Sequence, residues 1–87
     1  MDKDEIKTTL RGFIEENYIP SAGVDGFEDD DSFMENGIID STGILELLEF
    51  LESTFDIVVE DEEVVPDNLD TLNCMTVFVK DKQEHAG

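Results

Sequence analysis

The chain has 87 residues and a formal charge of −19, from 5 Lys+Arg against 24 Asp+Glu, which leaves room for one small domain and excludes a second core. Residues 12 to 79 contain no Lys or Arg but hold 19 of the 24 acids, so this surface repels nucleic acid and anionic membrane and attracts a basic protein. No apolar run is long enough to span a bilayer, and no basic start leads into an apolar stretch of the secretory kind.

Residues 2 to 18 read as an amphipathic helix. Asp2 is the expected cap, with Glu5 three positions on as in a capping box. Ile6, Leu10, Phe13, Ile14 and Tyr18 recur at helical spacing. Pro20 is expected to end the helix, because the residue before a proline is pushed out of the helical region.

Residues 19 to 39 read as a long loop, punctuated by Pro20, Ser21, Gly23, Gly26, Ser32, Asn36 and Gly37. Loops of this length inside a small domain are uncommon and often functional. Glu28 to Asp31 form an acidic run, and Val24, Phe27, Phe33, Met34, Ile38 and Ile39 are candidate anchors to the core.

Residues 40 to 55 carry the strongest helix signal. Asp40 is the expected cap, and Ile39 and Ile44 stand at the two positions of a hydrophobic staple. Ile44, Leu47, Leu48, Leu51 and Phe55 form an apolar stripe, while Glu46, Glu49 and Glu52 occupy a neighbouring face.

Ile57-Val58-Val59 has strand propensity but no second strand to pair with, so it reads as an extended connection. Glu60 to Val65 suggests one short helical turn stopped by Pro66. A last helix is expected over 71 to 82, capped by Asp70, with Leu72, Met75 and Val79 inward and Lys80 and Lys82 in its final turn, where the helix dipole favours cations. The expected fold is all-α: a small four-helix bundle of three long helices and one short one, with a long loop between the first and second helices. One domain over 1–82 would then be followed by a frayed tail over 83–87.

Catalytic candidates are thin. His85 is the one histidine and falls in the expected tail. Cys74, the one cysteine, has apolar neighbours, nothing beside it to lower its pKa, and no partner for an internal disulfide, which fits a reducing cytosol. An EF-hand built on Asp25-Gly26 would place Ser21 and Gly23 at ligand positions, which fails. No enzyme of its own and no dedicated metal site are therefore expected.

Ser41 stands apart. With Asp40 as cap, Ser41 takes the first helical position, and the positive end of a helix dipole suits a phosphate. Asp-Ser at a helix start is common as plain capping chemistry. The frame around it is less common: a long loop, then Gly37-Ile38-Ile39-Asp40-Ser41, then a helix with an apolar stripe and an acidic flank.

Over residues 4 to 80 the sequence resembles the acyl carrier protein family. The likeness rests on Asp31-Ser32-Phe33, on Gly37-x-x-Asp40-Ser41, on Glu46-Leu47-Leu48, on Phe55-Asp56 and Asp61-Glu62-Glu63 at the family's spacing, and on Leu69 to Leu72. The resemblance implies a cytoplasmic acyl or aminoacyl carrier in fatty-acid or more specialised lipid or aminoacyl biosynthesis. A phosphopantetheinyl transferase, assisted by magnesium, would attach 4'-phosphopantetheine to Ser41, with Asp40 as the motif aspartate. The thiol of that arm would hold its cargo as a thioester. A ligase, synthase or transferase with a basic patch would dock on the acidic helix and the short one after it, at Asp40, Thr42, Glu46, Glu49, Glu52 and Asp61. Thr42-Gly43 departs from the Leu or Met that usually follows the serine and resembles the Ser-Met-Gly of D-alanyl carriers, which points to a specialised carrier. The cargo and pathway stay open.

The competing readings are an acidic interaction module without a prosthetic group, and a calcium- or magnesium-responsive acidic protein. The charge favours a monomer and makes stability rise with salt as cations screen the acids.

Overall fold

In the computed structural model, residues 2–85 are described, apart from the side chains of Ser21, Ser41 and His85. Helix α1 spans Lys3–Asn17, α2 Ile19–Ala22, α3 Ser41–Phe55, α4 Pro66–Leu69 and α5 Leu72–His85, with a 3₁₀ turn over Asp61–Glu63. No strand occurs among the described residues. The protein is a small helical bundle of three long helices joined by two long connections that contain the short ones.

The long helices start where side-chain oxygens accept orphan backbone N–H groups. Asp2 accepts from the Glu5 N–H at 2.8 Å, and Asp40 from the Gly43 N–H at 2.8 Å. The third start corrects the expectation. Thr71 Oγ1, not Asp70, accepts the Cys74 N–H at 3.0 Å. Helix α5 also runs past the expected end at 82: Gln83 and Glu84 are helical, while residues 86 and 87 lie outside the described ones. The two prolines begin helical turns rather than ending them. Pro20 lies in the first turn of α2 and Pro66 in that of α4, where a missing N–H costs nothing.

The core follows the sequence pattern. Ile6, Leu10 and Ile14 of α1, Leu47, Leu51 and Phe55 of α3, and Leu72, Met75 and Val79 of α5 are buried together. Ile44 and Leu48 are partly buried at the edge. Phe50, outside the expected stripe, stacks on Phe13 with ring centroids 3.8 Å apart. Helices α1 and α5 form the most closely packed long pair, and α3 meets α5 more sparsely.

The first connection is held like a piece of core. Phe27, Phe33, Ile38 and Ile39 are buried, and Val24 is partly so. Met34, expected as an anchor, is instead 59% exposed. Polar ties complete the attachment. Asp29 pairs with Arg11 and, at 3.1 Å, with Lys7, while Arg11 also donates to the Phe27 carbonyl at 3.0 Å. Asn73 donates to Asp30 at 2.6 Å, and Ser32 Oγ to Asp70 at 2.5 Å. The acidic run is thus partly neutralised by Lys7 and Arg11 of α1 and hydrogen-bonded by Asn73 of α5.

Two carboxyls respond to their ties. Hydrogen bonds from Lys7 and then Arg11 hold Asp29 below its ordinary value of 3.8. Hydrogen bonds from Lys82 and then the Glu60 backbone hold Glu63 below 4.5. A carboxyl depressed on folding stabilises the fold above its unfolded pKa and loses that contribution as pH falls through the folded value. Both contributions are therefore present above the ordinary carboxyl range and are lost only as pH falls through the lower values these two groups hold in the folded chain. Carboxyl chemical shifts followed by NMR titration should show Asp29 and Glu63 titrating below ordinary carboxyls.

Candidate functional site

The segment before α3 folds back sharply. Ser32 Oγ accepts the Glu35 N–H at 3.1 Å, and the Ser32 carbonyl accepts Asn36 Nδ2 at 2.7 Å. Gly37 then takes φ +68°, in the left-handed region that glycine enters without a Cβ penalty. This turn sends Ile38 and Ile39 into the core and leaves Asp40 exposed in extended backbone at the cap of α3. Ser41 is the first residue of α3, as expected, although its side chain lies outside the described set.

Two cavities flank this helix start, and Asp40 lines both. The first is an apolar groove of about 270 Å³. Phe33 and Met34 form one wall, Ile39 and Ile44 the floor at α3, and Val64, Val65, Pro66, Leu69 and Asp70 the far wall. The second, about 300 Å³, is more polar and lies against Asn17, Tyr18, Ala22, Gly37, Ile38, Thr42, Gly43 and Glu46.

Tyr18 ties α1 to this start. Its ring is buried, and its hydroxyl donates to the Gly43 carbonyl at 3.0 Å. Burial raises the phenol above its ordinary pKa, and the Glu46 and Asp40 carboxylates push it the same way. Close approach explains Gly43: a Cβ there would meet Tyr18 Cε1 at 3.2 Å and Ile39 Cγ2 at 3.3 Å. Tyr18→Phe keeps the ring and removes the hydrogen bond. It should cost about 1 kcal/mol in urea unfolding, because the Gly43 carbonyl keeps its place in the helical ladder.

The candidate docking residues divide. Asp40, Thr42, Glu46, Glu49 and Asp61 are exposed. Glu52 is half-buried and accepts the Val59 N–H at 3.0 Å, so it anchors the second connection. Sequence reasoning missed the exposed apolar residues beside them. Leu45 is 63% exposed, one helical turn after Ser41 on the same face, and Met34 and Val65 are exposed along the groove. The signal for Leu45 was its i+4 spacing from Ser41, outside the buried stripe.

Other candidates gain no catalytic setting. Cys74 is half-buried, and the His85 side chain lies outside the described residues. Among the described residues, no three His, Cys, Asp or Glu gather as metal ligands. No helix among them is long and apolar enough to cross a membrane.

No known family model matches the chain, and a search of the curated proteins finds no match.

Proposed function

We propose that this chain is a cytosolic acyl or aminoacyl carrier protein, modified with 4'-phosphopantetheine at Ser41. The observation that carries the reading is the position of Ser41: it opens a long helix whose cap is already filled by Asp40, beside an open apolar groove. That start suits the group chemically. The first turn of a helix leaves backbone N–H groups without intrahelical partners, which favours a phosphodiester. The groove beside it has room and apolar lining for the end of an acyl group.

When bound, the group supplies a thiol that carries acyl or aminoacyl cargo as a thioester. The chain's own residues position and present it. Asp40 fixes the helix start, Tyr18 and Gly43 lock that start to α1, and Ile39 and Ile44 offer apolar surface. Leu45, Thr42, Glu46 and Glu49 on α3, with Asp61 on the 3₁₀ turn, form an exposed acidic surface with an apolar centre. Such a surface suits a transferase, ligase or synthase with a basic patch around an apolar side chain. Because Gly43 has a packing reason of its own, Thr42-Gly43 says less about a specialised branch than it does from sequence alone.

The acidic interaction module is the second reading, favoured by the same exposed Leu45, Met34 and Val65. The two separate on modification. Incubation with magnesium, a promiscuous phosphopantetheinyl transferase and a coenzyme A bearing a fluorophore on its thiol should make the folded chain fluorescent on a denaturing gel. A folded chain that stays dark while a known carrier is labelled in parallel would leave the interaction module in first place.

A further inference from the structure

The two walls of the apolar groove are held in different ways. The Phe33 wall belongs to a connection with four buried anchors: Phe27, Phe33, Ile38 and Ile39. The opposite wall belongs to the connection over residues 56–71, which is buried at its ends, at Ile57 and Leu69, while none of residues 58–68 between them is buried. Segments with so few buried apolar contacts open at low free-energy cost. This stretch also carries Glu60, Asp61, Glu62, Glu63 and Asp67 with no base of its own, so its charges repel one another and the acidic body.

What holds the middle of this stretch is Glu63. Its Oε1 accepts Lys82 Nζ of α5 at 2.8 Å and the Glu60 N–H at 3.0 Å. Its carbonyl accepts Asn68 Nδ2 at 2.9 Å. One residue thus joins the 3₁₀ turn, α4 and the long helix behind them. The paired side chains are 25% and 27% exposed, shielded enough to attract and open enough for salt to screen. Val64 and Val65, which follow directly, line the groove.

We infer that residues 58–68 form a strap closed by the Glu63–Lys82 pair, and that releasing this pair widens the groove beside α3 without unfolding the bundle. The inference concerns the unmodified chain and stands apart from the reading of Ser41. Salt then acts in two opposite directions. It steadies the bundle by screening −19 of net charge, and it loosens the strap by screening the Glu63–Lys82 pair.

The test is amide hydrogen exchange by NMR on the full chain, with Lys82→Met to remove the charge and keep an apolar stem, and Lys82→Arg to keep the charge. In Lys82→Met the amides of Val64, Val65 and Asn68 should exchange about tenfold faster, while those of Leu10 and Leu51 hold their protection. The neutral apolar probe N-phenyl-1-naphthylamine should bind this variant several-fold more tightly, and Lys82→Arg should behave like the parent. The parent gives an independent readout should Lys82→Met not fold: from low salt to 1 M, strap amides speed up while core amides slow down. Unchanged strap exchange in Lys82→Met, acceleration shared equally by α1 and α3, or strap and core amides moving together with salt would each overturn the inference.

Discussion

Ser41→Ala should abolish labelling by a phosphopantetheinyl transferase and leave the fold intact. The loss should be complete, because the proposed attachment is at Ser41, the first helical residue, and Thr42 stands one residue further along the helix on a different face. Stability should change by no more than about 0.5 kcal/mol, since a first-turn position that does not supply the cap accepts alanine readily. The cap belongs to Asp40, which keeps its bond to the Gly43 N–H, and alanine is the best helix former. Circular dichroism and thermal unfolding alongside the labelling assay separate the two effects. A variant still labelled at the parent level would move the modification away from Ser41.

Phe33→Ala should be the most damaging single change to stability. Phe33 lies in a connection, yet it is 1% exposed and meets Phe27 edge-to-face with centroids 5.2 Å apart. Its backbone is tied as well: its N–H donates to the Asp70 carbonyl at 2.8 Å, and its carbonyl accepts the Ile38 N–H at 2.8 Å. Truncating a buried phenylalanine costs about 3–5 kcal/mol. Domains of this size hold about 5–15 kcal/mol in total, so a substantial share of the margin would go. The melting temperature should fall by on the order of 20 °C. The same change removes one wall of the groove, so loss of apolar-probe binding at a temperature where the variant remains folded is a second readout. A cost below about 1 kcal/mol would mean that the first connection is a surface loop rather than core.

These expectations show which parts of the molecule could be read in one dimension. The long helices could, because apolar spacing and the caps at Asp2 and Asp40 act within a few residues. The anchors of the first connection were legible too, since Phe27, Phe33, Ile38 and Ile39 are large apolar residues in a polar stretch. Asp70 was not. As a cap residue it would act locally, but its carboxylate instead holds Ser32, 38 positions away, and Thr71 takes the cap. The prolines misled for a related reason. Proline disfavours helix before it and also suits a first turn, and the neighbouring residues decide which effect prevails.

The places of Asp40 and Ser41, as cap and first residue of α3, were legible from their frame, while the groove was not. It is assembled from the Phe33 turn, the start of α3 and the Val64–Leu69 segment, which meet only in three dimensions. The exposed face of α3 was half legible. Carboxylates could be counted along α3, but Glu52 proved to be an internal anchor and Leu45 an exposed apolar centre. Charge alone cannot distinguish an acid that faces a partner from one that holds a backbone N–H.

The most direct test of the carrier reading is intact mass spectrometry of the folded chain after incubation with unlabelled coenzyme A, magnesium and a promiscuous phosphopantetheinyl transferase, with Ser41→Ala and a known carrier treated in parallel. The carrier reading predicts a gain of one phosphopantetheine in the parent and none in Ser41→Ala. An unchanged parent mass, with the known carrier fully modified, would contradict it.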